Sequence, residues 1–183
     1  CYYCAKGDTH LCEGAFALQT ETRLHNKKGE PIAQSIKTAA FAEYAVVDQS
    51  QLVPIPKTIP LDSASLLACG VITGLGAVVN TAKVGVGETV AVIGVGGVGL
   101  NAIQGAALSG AHPIIALDRL DNKLEAARQF GATHTVNVVG GSDPAESVKA
   151  LTAGRGVDYA FVTVGSPVAV AQAITMIRRG GTM

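Results

Sequence analysis

Between Thr89 and Ile177, short apolar runs rich in β-branched residues alternate with helical segments of about ten residues, and this alternation narrows the possible folds most. Thr89–Ile93 reads as a strand, Gly97–Leu108 as a small-residue helix and Pro113–Leu117 as a second strand. Asp121–Phe130 reads as a helix stopped by Gly131. Thr133–Val138, Pro144–Leu151, Tyr159–Val164 and Val168–Ile177 continue strand, helix, strand, helix. Strands joined through helices make a parallel sheet with right-handed crossovers, since a tight hairpin cannot connect parallel neighbours. About four strands are expected, against six in a complete dinucleotide-binding sheet. A fifth is expected to begin where the chain stops, at Gly180-Gly181-Thr182-Met183.

Such a sheet, buried on both faces, accounts for a chain that is only 15% charged and 48% hydrophobic, with 22 glycines. That balance excludes a disordered chain. Fourteen basic and fourteen acidic residues leave no net charge, which argues against a nucleic acid or an anionic membrane surface as the principal partner. Ser63–Ala82 and Thr89–Ala111 carry no formal charge, but glycines and polar residues such as Asn80, Asn101 and Gln104 interrupt both, so neither is read as a membrane span.

Upstream of the alternation the pattern changes. Residues 1–30 show no sustained period and read as a loop-rich lobe that needs a staple, whereas Ala39–Val53 reads as one or two strands. Pro54, Pro56 and Pro60 mark a boundary, after which Asp62 or Ser63 can cap a helix through Leu66, Leu67 and Val71, divided by its glycines. Two regions follow: 1–60, including a lobe over 1–16, and 61–183. The chain starts at Cys1 with no basic segment ahead of an apolar run, so a fragment of a larger protein without a visible signal peptide is expected.

Two motifs carry chemistry. Gly94, Gly96 and Gly99 form G-x-G-x-x-G directly behind a strand and at the start of a helix. In that context the first glycine permits the turn, the second clears space for a pyrophosphate, and the third lets helix and strand pack closely. The helix N-terminus then meets the phosphates with backbone N–H groups, so the loop needs no lysine. Asp118 ends the next strand, about twenty residues beyond Gly99, where a ribose-binding acid belongs. A carboxylate there favours NAD over NADP, although the adjacent Arg119 could accommodate a 2′-phosphate. The alternative is that Asp118 merely caps the following helix.

Cys1, Cys4 and Cys12 form C-x2-C-x7-C, a set of soft ligands suited to zinc; either His10 or a cysteine upstream of Cys1 could supply the fourth. A disulfide or redox pair is the alternative, disfavoured because the downstream half looks like a cytoplasmic nucleotide enzyme. Cys69 stands alone in an apolar helix, where a cysteine is ordinarily a small hydrophobe.

Together these residues resemble the medium-chain, zinc-dependent alcohol dehydrogenase superfamily over nearly the whole chain. The resemblance implies a Rossmann-type, doubly wound parallel sheet preceded by the C-terminal part of a mainly β, GroES-like catalytic domain with a zinc-binding lobe. It makes Cys1, Cys4 and Cys12 three of four structural zinc ligands, the first lying upstream. It makes Cys69, in Ala68-Cys-Gly-Val-Ile-Thr-Gly-Leu-Gly-Ala77, one of three protein ligands of a catalytic zinc, the others also upstream. It places Thr73 near the nicotinamide, Gly94, Gly96, Gly97 and Gly99 in the coenzyme loop, and Val98 behind the nicotinamide ring. Asp118 and Lys123, with Arg119 beside them, fall at the adenosine ribose, and Val164 and Gly165 at the edge of the coenzyme cleft.

The implied activity is hydride transfer between an alcohol, or an aldehyde or ketone in reverse, and NAD, in a cytoplasmic homodimer or homotetramer; the isolated chain is expected to be inactive. Gln34–Phe41, with Ile36, resembles a stretch contributing to the substrate cleft. Two other readings stay open: a zinc-independent quinone or enoyl reductase of the same superfamily, and a non-catalytic NAD-binding regulatory protein.

Overall fold

A computed structural model describes residues 1–14, 21–33, 38–141 and 143–183; Ile36 and the end of the 1–16 lobe lie outside the described residues. The chain divides into two compact units, Cys1–Pro56 and Lys57–Met183.

In the first unit, helix α1 (Tyr2–Ala5) and a 3-10 turn (Thr9–Leu11) precede a small hairpin of β1 (Leu24–His25) and β2 (Pro31–Ile32). Asn26 closes the hairpin by accepting from the N–H groups of Lys28 and Glu30 at 2.8 and 3.0 Å. The strands expected over Ala39–Val53 are not formed; a 3-10 turn at Gln49–Gln51 is the regular structure there. Phe41, Tyr44 and Val53 are exposed, and apolar sequence yields a strand only where a neighbouring strand is at hand to pair with it.

The second unit opens with helix α2 (Leu61–Ala82), long and apolar enough to cross a membrane by length and composition alone. Its glycines do not divide it; the chain winds wider, as π-helix, at Leu67–Val71 and Ala77–Ala82. Neither Asp62 nor Ser63 is its cap, which is Pro60.

Then follow β3 (Val90–Ile93), α3 (Gly97–Leu108), β4 (Ile114–Asp118), α4 (Asp121–Gln129), β5 (His134–Asn137), α5 (Pro144–Ala150), β6 (Val157–Val162), α6 (Pro167–Met176) and β7 (Ile177–Thr182). The sheet has order β5-β4-β3-β6-β7 with every pair parallel, the topology of a Rossmann-type sheet. It has five strands where about four were expected. The fifth starts at Ile177, the residue expected to end the last helix, and pairs irregularly with β6.

Alternation along each strand divides the core. Val90, Val92, Ile114 and Ala116 pack with Ala102, Ile103 and Ala106 of α3 on one face. Ala91, Ile93, Ile115 and Leu117 pack with Val148, Ala173 and Met176 on the other. Each such buried Val or Ile contributes about 1.5–3 kcal/mol. Glycine sets how closely α2 approaches α3: a Cβ at Gly74 would stand 2.3 Å from the Val98 carbonyl oxygen, and one at Gly105 would stand 3.2 Å from Val78.

The opposite end of the sheet is tied by Asp158 of β6. Its carboxylate accepts from the N–H and the hydroxyl of Thr89, both at 2.7 Å, and from Nε of Arg178 on β7. Burial alone would raise this carboxyl, but the hydrogen bonds from Thr89 and Arg178 outweigh burial and hold it below the usual range.

Candidate functional site

The strand order reverses between β3 and β6, and at such a switch point the loops leaving the two strands part and open a crevice. A cleft of about 760 Å³ lies there, lined by Gly94 and Gly96 from the loop after β3, Asp118, Arg119 and Lys123 from the turn after β4, and Val164 after β6. Thr163, Ser166 and Gln172 complete its far wall.

The glycines differ in what surrounds them. Gly94 has φ +92°, where a side chain would be strained, and an added Cβ would stand 3.0 Å from Val164. A Cβ at Gly99 would fall 2.0 Å from the Gly94 carbonyl oxygen, so that carbonyl and the first turn of α3 touch only because no side chain intervenes. At Gly96 and Gly97 a Cβ would meet nothing within 4 Å. The loop is therefore tight beneath and open above, the space a pyrophosphate needs beside free helical N–H groups.

Asp118 is half-buried. One carboxylate oxygen accepts from the N–H of Val95 at 2.7 Å; the other accepts from Arg119 and Leu120 N–H groups at 2.7 and 3.1 Å. It does not cap α4, whose N-cap residue is Leu120, without a side-chain bond. Lys123 is half-buried in the first turn of α4, and Arg119 is exposed.

Val98, Gly97, Gly99, Gly165, Thr73 and Cys69 do not line the cleft. Gly74 nevertheless lies against the Val98 carbonyl, which brings its neighbour Thr73 to the start of α3. Cys69 lies one turn earlier in α2 and is exposed. Among the described residues no group of three or more potential metal ligands includes it.

Cys1, Cys4 and Cys12 do gather, with all three sulfurs within 4.8 Å of one another and Cys1 Sγ 3.6 Å from Cys4 Sγ. Tetrahedral zinc with bonds of about 2.3 Å holds its sulfurs about 3.8 Å apart, so the set fits that ion. All four cysteines are free thiols, against the disulfide alternative, and His10 is not part of the group. The Gly14 N–H, donating to Cys12 Sγ at 3.3 Å, and then the Cys4 thiol hold Cys12 below its ordinary value; as that donor, Cys4 is held above.

Thr163 and Ser166 were missed from sequence. The Thr163 hydroxyl donates to the Gly94 carbonyl at 2.5 Å, and Ser166 caps α6 by accepting from Ala169 N–H at 3.3 Å. The Ser-Pro step before an apolar helix could have revealed the cap. A lone threonine at a strand end carries no such signal.

Residues 97–183 match the family model described as zinc-binding dehydrogenase. The chain is 40% identical over 98% of its length to an S-(hydroxymethyl)glutathione dehydrogenase of Saccharomyces cerevisiae, of which it covers 49%. It is 38% identical, again over 98% of its length, to an alcohol dehydrogenase of Malus domestica, of which it also covers 49%. Its structure is similar to that of benzyl alcohol dehydrogenase from Acinetobacter calcoaceticus, with a TM-score of 0.85 and 30% identity, covering 100% of this chain and 51% of that one. The chain spans about half the length of the curated relatives it matches. A glycine loop at the switch point of a parallel sheet, following clustered thiols in the sequence, thus stands in a chain whose residues 97–183 match the zinc-binding dehydrogenase family and which over nearly its whole length is similar to alcohol dehydrogenases.

Proposed function

We propose that this chain supplies the coenzyme-binding half, and part of the catalytic half, of a cytoplasmic, zinc-dependent oxidoreductase that interconverts alcohols with aldehydes or ketones using NAD. The observation that carries this reading is the cleft itself, whose lining sets the open Gly96 and the Asp118 carboxylate in one crevice. The loop N–H groups bind the pyrophosphate, and Asp118 accepts from the ribose hydroxyls while repelling a 2′-phosphate, which favours NAD. Lys123 and Arg119 flank the ribose, Val164 and Gly165 edge the cleft, and Val98 with Thr73 supports the nicotinamide end. Zinc, when bound, would supply Lewis acidity toward the substrate oxygen, and the dinucleotide, when bound, would supply the hydride acceptor or donor. Cys1, Cys4 and Cys12 hold a structural ion, and Cys69 contributes one ligand to a catalytic one.

On this reading residues 1–60 are the end of a GroES-like catalytic domain, and the whole protein is a homodimer or homotetramer. Titration of the chain with NADH and NADPH tests the coenzyme, and alcohol-dependent NADH formation by the whole protein tests the activity. NADH binding without turnover by the 183-residue chain is expected, since it holds one of three catalytic ligands. A whole protein that lacks zinc and oxidises no alcohol from a broad panel sinks the proposal.

A further inference from the structure

Gly94 is the pivot on which the chain leaves β3, and it is held from both sides. Its N–H donates to the Leu117 carbonyl on β4 at 2.9 Å, and its carbonyl accepts from the Thr163 hydroxyl, just past β6, at 2.5 Å. The loop is thus pinned across the point where the strand order reverses. Thr163 also reaches the Ile93 carbonyl, through its backbone N–H at 2.9 Å and, at the longer distance of 3.3 Å, through the same hydroxyl. The backbone bond already serves the pairing of β6 with β3, and the shorter of the hydroxyl's two contacts is the one to the loop. Gly99 completes the arrangement, since a Cβ there would stand 3.0 Å from Thr163 Oγ1 and 2.0 Å from the Gly94 carbonyl oxygen.

We propose that Thr163 is a positioning residue of the coenzyme loop: its hydroxyl orients the Gly94 peptide, and thereby the following N–H groups, toward the pyrophosphate of a dinucleotide. The inference rests on the coenzyme reading above. The loop from Gly94 to Gly99 carries no lysine or arginine, so phosphate affinity depends on how its N–H groups are aimed. Valine has the shape of threonine but sets a methyl where the hydroxyl donates. A carbon against a carbonyl oxygen needs about 3.3 Å, so the loop must move by several tenths of an ångström. Alanine removes both groups, and serine restores the hydroxyl alone.

The test measures dissociation constants of NADH and of adenosine, which has the ribose but no phosphate, for the full chain and for T163V, T163A and T163S. Thermal midpoints are recorded beside them. NADH is expected to bind T163V and T163A about tenfold more weakly and T163S within about twofold of the parent, with adenosine unchanged within about twofold throughout. Equal NADH affinity for T163A and T163S overturns the proposal even if T163V fails to fold. Parallel losses for NADH and adenosine also overturn it, because they report a merely structural role. An unsubstituted chain that binds no NADH overturns the coenzyme reading itself, a failure visible before any variant is compared.

Discussion

The carboxylate of Asp118 and the backbone N–H of Val95, from the ends of adjacent strands, are joined at 2.7 Å. The acid proposed to receive the ribose therefore also anchors the loop proposed to receive the phosphates. Its second oxygen, shared by the N–H groups of Arg119 and Leu120, sets the turn that leads into α4.

Asp118→Ala orphans three N–H groups and is expected to cost about 2 kcal/mol of stability and at least about tenfold in NADH affinity. Asp118→Asn keeps an acceptor and recovers part of the stability, with NADH still bound weakly. Chemical denaturation and NADH titration on the same samples separate the two effects.

The glycines of the loop are expected to fail differently. Gly99→Ala forces a methyl onto the Gly94 carbonyl and is expected to destabilise by at least about 2 kcal/mol. Gly96→Ala meets open space at φ −92°, so its stability stays within about 0.5 kcal/mol of the parent while NADH binding collapses. A Gly96→Ala protein that binds NADH normally contradicts the assignment of the cradle.

Asp158 is expected to give stability a pH dependence that a neutral variant lacks. Its folded-state pKa lies below its unfolded one, so its contribution is fully present above the unfolded value of about 3.9. That contribution is lost as pH falls through the folded value. Asp158→Asn is expected to cost about 2 kcal/mol at pH 7. Calorimetric midpoints measured from pH 7 down to pH 3 are expected to converge between parent and variant at the acid end.

Zinc retention by the first unit is expected to require all three clustered thiols. Cys1→Ser and Cys12→Ser are each expected to lower zinc affinity by more than about tenfold, the scale of loss seen even for outer-shell changes. Acidification releases the ion as the thiolates take up protons. Metal content after gel filtration, with Cys69→Ser as the control that keeps the structural ion, checks this.

The sheet was legible because its central strands, buried on both faces, are short continuous apolar runs between helical segments, as Val90–Ile93 and Ile114–Leu117 show. β7 was not, because Ile177-Arg-Arg-Gly-Gly-Thr182 has no such pattern and is placed by its partner β6 and by Arg178 on Asp158. The stretch 39–53 misled for the converse reason, having strand propensity but, among the described residues, no strand paired with it. Gly94, Gly96 and Asp118, which line the cleft, and Gly99 beneath the loop could be read from spacing tied to a strand-turn-helix context. Thr163 could not, since its partner is a carbonyl far away in sequence, and only the parallel pairing of β3 with β6 joins them.

The three-way pinning of the loop at Gly94 and Val95 bears on the thermodynamics of recognition. A loop whose peptides are fixed by β4, by Asp118 and by Thr163 has lost its conformational entropy when the sheet forms. A dinucleotide arriving there orders little that was loose, so its association is rapid and its heat-capacity change reflects the surface it covers rather than any coupled folding.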